Sequence, residues 1–162
     1  MTMTKTKTRV MLVDDHAVVR VGFRMLLSAD AAIEVVAEAA RERIGEWRLA
    51  HPEIAFSLDI GTLPAELGES YTLAAYRILQ EAVTNALRHA SANRIAIRID
   101  SDDRALVLEV ADDGRGLAQD WQRRGHFGVR GMQERARAFG GEVSIQNRDE
   151  GGTRVIARLP LE

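Results

Sequence analysis

The sequence contains no cysteine, which excludes disulfides and thiolate metal sites and is compatible with a reducing cytosol. No apolar run approaches the roughly 18 residues needed to cross a bilayer, so no stretch reads as a membrane span. The N-terminal Met1-Thr2-Met3-Thr4-Lys5-Thr6-Lys7-Thr8 leads into a short apolar run that meets Asp14 and Asp15 too soon for a secretory signal. Neither sign of charge dominates: a formal net charge of −2 and a pI near 6.1 give no general attraction to nucleic acid or to anionic membrane. Internal repeats and low-complexity segments are missing apart from the Thr/Lys tail. What remains is 162 residues, 46% hydrophobic and 28% charged, the composition of a globular chain long enough to bury a core; the chain is expected to be soluble and cytoplasmic.

The chain is organised around Tyr71 to Ala90, which reads as one amphipathic helix with Ser70 as N-cap. Ala75, Leu79, Ala82, Val83, Ala86 and Leu87 recur at the spacing of an apolar stripe. Glu81, Asn85 and His89, each four residues from the next, project from one side of successive turns, with Arg88 beside them. From this stretch alone they could equally be a solvated polar face.

Upstream, Arg9 to Val13 is a strand candidate ending at Asp14-Asp15-His16, Val18 to Leu27 is a helix candidate, and Ile33 to Ala39 is a second strand candidate. Asp14 and Asp15 could hold Mg²⁺ at the end of a first parallel strand, or be plain loop acids. Arg41 to Ala50 suits a short helix or connector. These readings divide the chain into a segment 1–40, a connector 41–52 and a domain 53–162. Within the last, Pro52 to Ile60 alternates as a half-buried strand, and Gly61 to Ser70 is a loop.

Downstream of the long helix, Arg94 to Ile99 and Ala105 to Val110 alternate on either side of Ser101-Asp102-Asp103 and form a hairpin. Gly114 to Arg124 reads as a mobile segment. Phe127 to Phe139 is a second amphipathic helix, stopped by Gly140-Gly141 through a left-handed cap. Glu142 to Asn147 and Thr153 to Leu159 make a last hairpin. Helices clustered with one antiparallel or mixed sheet imply an α+β fold, a two-layer sandwich.

Four patches carry chemistry. Asp112 closes a buried-looking strand ahead of Gly114 and Gly116, so its carboxylate can be held rigidly while backbone approaches a ligand. A carboxylate only accepts hydrogen bonds and so favours the exocyclic amine of adenine over the carbonyl of guanine. Taken alone, Asp-x-Gly-x-Gly fits a plain turn as well. Gly125, Gly128 and Gly131 surround a helix N-terminus suited to phosphate oxygens. Glu81 and Asn85 offer the oxygen ligands that Mg²⁺ prefers, and Gly151-Gly152-Thr153 adds a hydroxyl where the last hairpin returns.

In this order and on these elements, the patches resemble the asparagine box, the two glycine boxes and the terminal Gly-Thr of the GHKL, or Bergerat, ATP-binding fold. The catalytic domain of nitrate-sensor-class histidine kinases is most similar, through Tyr76-Arg77-Ile78-Leu79-Gln80-Glu81-Ala82-Val83-Thr84-Asn85-Ala86 and Gly125 to Arg135. The resemblance covers Pro52 to Leu161. It implies ATP and Mg²⁺ as cofactors, with Glu81 catalytic and, with Asn85, near the metal. It also implies Arg88 and His89 near phosphates, Asp112 reading adenine, Gly114 and Gly116 shaping that pocket, Gly125, Gly128 and Gly131 in the ATP lid, and Thr153 supporting the adenine end.

Val10-Met11-Leu12-Val13-Asp14-Asp15-His16 and Val19-Arg20-Val21-Gly22-Phe23 resemble the start of LuxR-type response-regulator receiver domains, making residues 1–40 a half-receiver β-α-β fragment with a vestigial Mg²⁺ site. That resemblance stops near Ala40, before the third strand and its phosphoaccepting Asp. Kinases of this class carry their phosphoacceptor His on a dimerising helical pair just before the ATP module. Here His51 is the one histidine near that junction, and Pro52 disfavours helix at it. The reading is therefore an ATP-binding kinase module acting in trans, with a response regulator or a kinase dimerisation domain as its protein partner. A non-enzymatic two-component regulator and an anti-sigma-type serine kinase of the same fold are the alternatives.

Overall fold

A computed structural model describes residues 32–64, 68–118 and 127–161. The strand Arg9–Val13, the helix Val18–Leu27 and the acid pair Asp14 and Asp15 lie outside the described residues, as does Gly125.

The described chain opens with helix α1, Ala32–Ala50. The strand expected over Ile33 to Ala39 is helix instead. Apolar residues Ile33, Val36, Ala40, Ile44 and Trp47 fall three or four apart, and this period, with the Ala, Glu and Arg between them, outweighs the β preference of the branched residues. The helix runs unbroken through residues 40–41 and covers the stretch read as a connector. Ala40, Ile44 and Trp47 belong to the main core. Trp47 stacks on Phe56 at 6.3 Å between ring centroids, and Arg48 donates from Nη2 to the Phe56 carbonyl at 2.7 Å.

Strands β1 (Ala55–Ile60), β2 (Arg94–Ser101), β3 (Ala105–Asp112), β4 (Glu142–Asn147) and β5 (Thr153–Pro160) form one sheet in the order β1-β2-β3-β5-β4. β1 pairs parallel to β2, and the other neighbours are antiparallel, so the sheet is mixed. Strand alternation then decides the layers. Ile95, Ile97 and Ile99 of β2, Leu106, Leu108 and Val110 of β3, and Val155, Ala157 and Leu159 of β5 are buried, while Arg94, Ala96 and Arg98 lie exposed on the opposite face. One face of the sheet is covered and the other is open, as a two-layer sandwich requires.

The covering layer is built on α2, Glu69–Asn85. Its stripe of Ala75, Ile78, Leu79, Ala82 and Val83 is buried, and each large apolar side chain so placed contributes about 1.5–3 kcal/mol. The N-cap is Gly68 rather than Ser70, without a side-chain cap hydrogen bond; the helix starts one residue ahead of Ser70, which is therefore inside its first turn. Tyr71 ties this end to the sheet, its hydroxyl donating to the Leu159 carbonyl at 2.6 Å, and its ring meets Phe139 edge-on at 5.2 Å.

Past Asn85 the chain widens into a π-turn, Ala86–Ala90, closed by Ser91 in the left-handed region with φ 51°. The third helix, α3 (Phe127–Arg137), buries Met132 and Ala136. It ends as expected at Gly140, where φ is 69°. Gly140 N–H donates to the Arg137 carbonyl and Gly141 N–H to the Ala136 carbonyl, the two bonds of a Schellman cap.

Candidate functional site

Asp112 is the last residue of β3 and only 4% exposed, an unusual place for a carboxylate. Its Oδ1 accepts the backbone N–H of Gly114 at 2.9 Å and of Thr153 at 3.2 Å. Its Oδ2 takes no hydrogen bond from any described residue. The side chain is thus buried and fixed through one oxygen, while the other is left accessible to accept a hydrogen bond from a ligand. Thr153 thus meets the site through its backbone N–H.

The surroundings of Asp112 are set by close backbone approaches. Gly152 has φ 88°, and a Cβ on it would collide with the Asp112 carbonyl, so only glycine brings the hairpin this near. Gly114 lies against the Ala90 carbonyl, which also accepts the N–H of Arg115 at 2.9 Å. The end of the π-turn is thereby fastened to the loop after Asp112. This joins the α2 patch to the aspartate patch across the sheet edge. Asp113 turns outward, and its Oδ1 accepts from Asn93 and Arg94 N–H, both at 2.8 Å; these bonds, Arg94's foremost, hold its carboxyl below the usual range.

On α2 the polar residues divide into two sets. Arg77 and Thr84 are satisfied locally, donating to the Gln80 side chain and the Gln80 carbonyl respectively. Glu81 and Asn85, both half-buried, and Arg88 and His89, both exposed, have no hydrogen bond or ion pair among the described residues. A wider turn carrying Arg88 and His89 was not legible in the sequence, although π-turns inside helices recur at functional positions.

Glu81 nevertheless has a close neighbour. Gly128, second residue of α3, lies so near that any Cβ there would strike Glu81 Oε1. The N-terminal end of α3 and the acid of α2 are therefore adjacent. Gly131, by contrast, faces only the flexible end of Arg135. Among the described residues no three His, Asp or Glu side chains gather as a metal cage.

Two contributors escaped sequence reading. Asn147, at the end of β4, exchanges two hydrogen bonds with Leu117, and Arg148 donates from Nη1 to the Asp112 carbonyl at 2.7 Å. Both lie at least 30 residues from their partners, beyond the reach of any local pattern.

Comparison with known proteins then places the fold. The model of the "Histidine kinase-, DNA gyrase B-, and HSP90-like ATPase" family matches residues 71–162. An uncharacterized sensor-like histidine kinase of Chloroflexus aurantiacus is 36% identical over 59% of this chain and 17% of its own length. The signal transduction histidine-protein kinase/phosphatase UhpB of Salmonella typhimurium is 34% identical over 77% of this chain and 24% of its own. The chain thus spans about a quarter or less of the length of these curated relatives. Among solved structures, the ATP binding domain of PrrB from Mycobacterium tuberculosis superposes with a TM-score of 0.62 at 21% identity, covering 73% of this chain and 88% of that one. The histidine kinase domain of the Erythrobacter litoralis blue-light activated histidine kinase gives 0.61 at 22% identity, covering 81% and 61%. With the family model matching residues 71–162, more than half of the chain, this chain belongs to the histidine kinase-, DNA gyrase B- and HSP90-like ATPase family.

Proposed function

We propose that this chain is the Mg-ATP-binding catalytic module of a two-component sensor histidine kinase of the nitrate-sensor class, and that it phosphorylates a histidine on a separate dimerisation domain. The observation that carries the reading is Asp112, a buried carboxylate with one oxygen held by two backbone N–H groups and the other left to accept. The exocyclic amine of adenine satisfies that oxygen. Guanine presents a carbonyl instead, and two facing acceptors leave a buried group unpaired at a cost of about 1–3 kcal/mol.

The oxygens of Glu81 and Asn85, which bond to no partner among the described residues, suit Mg²⁺, which takes few protein ligands and completes its shell with water and phosphate oxygens. The metal, when bound, neutralises phosphate charge. Arg88 supplies further positive charge and His89 a further donor, and Gly128, second residue of α3, supplies a backbone N–H group at the start of that helix; Gly125 and Gly131 belong to the lid by resemblance. In the transfer, an imidazole nitrogen bonds to the γ-phosphorus as the bond to the β–γ bridging oxygen breaks. ADP departs, with Glu81 as the proposed acceptor of the imidazole proton. The module comprises residues 53–162, with α1 packed on it. The sequence ahead of α1 is receiver-like, with Asp14 and Asp15 as a vestigial Mg²⁺ pair, while the residues that would complete its β-α-β unit form the start of α1. A response regulator, as docking partner or final acceptor, completes the partner set.

The test is calorimetric titration with a non-hydrolysable ATP analogue, with and without Mg²⁺, against a GTP analogue. We expect adenine-selective, Mg²⁺-dependent binding, weakened at least tenfold in a folded Asp112→Asn variant. Equal binding of both nucleotides, or an unaffected variant, would overturn the reading. Adding a separately expressed dimerisation domain with labelled ATP should then give an acid-labile phosphoprotein.

A further inference from the structure

Besides the Gly114 N–H of its own loop and its pairing with β2, Asp112 is held by the β4–β5 turn. Thr153 N–H reaches its Oδ1, Arg148 Nη1 reaches its carbonyl at 2.7 Å, and Gly152 packs its Cα against that same carbonyl. Arg148 is itself fixed to the turn, its N–H donating to the Gly152 carbonyl at 3.0 Å and its Nη2 to Glu150 at 2.9 Å. The loop after Asp112 is then caught at its far end. Leu117 N–H donates to Asn147 Oδ1 at 2.6 Å, and Asn147 Nδ2 donates back to the Leu117 carbonyl at 3.3 Å.

These bonds close a ring that runs from Asp112 through Gly114 and Gly116 to Leu117, across to Asn147 and Arg148, around the turn, and through Thr153 back to Asp112. Gly116, with φ 74°, brings its Cα against Asn147 Oδ1, so the clamp needs both the bent backbone and the amide. A primary amide can accept from the N–H and donate to the carbonyl of the same residue at once. Asn147 itself is exposed and fills no core space, so packing does not account for it.

We infer that Asn147 is a positioning residue for nucleotide-base recognition. Acting through Leu117 and the ring, it fixes the loop that presents Asp112 and its neighbouring backbone to the adenine. This rests on the assignment of Asp112 as the base-reading residue. Asn147 touches no base itself; it sets how far the loop can drift, and hence how sharply adenine is told from guanine.

The test compares the unmutated chain with Asn147→Ala and Asn147→Asp, titrated with ATP and GTP analogues, alongside amide exchange at Gly114, Leu117 and Thr153. Asn147→Ala should weaken adenine-nucleotide binding about tenfold and narrow the adenine-to-guanine ratio by a similar factor. Amide exchange at Leu117 and Gly114 should quicken while the melting temperature changes little. Asn147→Asp keeps the acceptor and loses the donor, so it should fall between the two. A purely structural role predicts a lowered melting temperature with the nucleotide ratio unchanged, and that result overturns the inference. If the unmutated chain shows no preference for adenine, the functional reading fails and this one with it. If selectivity is present but all three proteins share it, only the role of Asn147 fails.

Discussion

The carboxylate of Glu81 on α2 occupies the space that any side chain on Gly128 of α3 would need. Two effects oppose each other at this position. Replacing a helical glycine by alanine ordinarily stabilises by about 0.5–1 kcal/mol, whereas forcing a methyl group into filled space costs about 1–3 kcal/mol. The clash is with the end of a flexible side chain that no described residue holds, so swinging Glu81 aside relieves most of the overlap. Gly128→Ala should therefore change stability by less than about 1 kcal/mol but displace Glu81 and impair nucleotide turnover. In a Glu81→Ala background the same change should become neutral or stabilising. Chemical denaturation of the four proteins in the cycle measures the coupling, and additive effects would mean the two residues are not in contact.

Much of the fold was legible because its signals are periodic. The isoleucines at 95, 97 and 99 and the apolar residues at 106, 108 and 110 alternate, and both strands formed with that alternation buried. The stripe along α2 and the glycine stop at Gly140 were equally local signals. Ile33 to Ala39 misled, because branched residues in a short window favour strand, and only the longer window to Trp47 reveals the helical period. Gly68 displaced Ser70 as N-cap because propensity cannot fix a boundary to one residue. At the candidate site, the residue types were readable from motif spacing. The partners of Asp112 were not, since Arg148 and Thr153 reach it only after β5 has paired with β3.

Trp47 tests whether α1 belongs to the same cooperative unit as the sheet. It is 7% exposed, stacked on Phe56, with the Arg43 guanidinium 5.4 Å from its ring centre. Trp47→Ala should cost about 3–5 kcal/mol by removing buried area and leaving a cavity over β1. Denaturant titration followed by far-UV circular dichroism should give one transition at lower midpoint. A two-step transition, with α1 melting first and the sheet midpoint unmoved, would contradict this.

Thr72 carries the opposite opportunity. It is fully buried on α2, and its hydroxyl has no hydrogen-bond partner among the described residues. Burying a hydroxyl without a partner costs about 1–3 kcal/mol, and valine has nearly the same shape. Thr72→Val should therefore raise stability by about 1 kcal/mol, read as a higher melting temperature with nucleotide affinity unchanged. A lower melting temperature would mean that the hydroxyl is satisfied, as by an ordered water.

Tyr71 makes stability fall at alkaline pH. Burial pushes its phenol up to about 12 from 10.0, opposed by a backbone hydrogen bond from Leu106. The sign follows from linkage: the raised folded-state value means that the unfolded chain releases this proton first. The contribution is complete below pH 10, declines as pH rises from about 10 towards 12, and is lost above. Urea midpoints measured across that range should drop faster for the unmutated protein than for Tyr71→Phe. At neutral pH the variant should be less stable by about 1 kcal/mol, since the Leu159 carbonyl loses its donor. Parallel alkaline profiles for the two proteins would show that Tyr71 does not govern the decline.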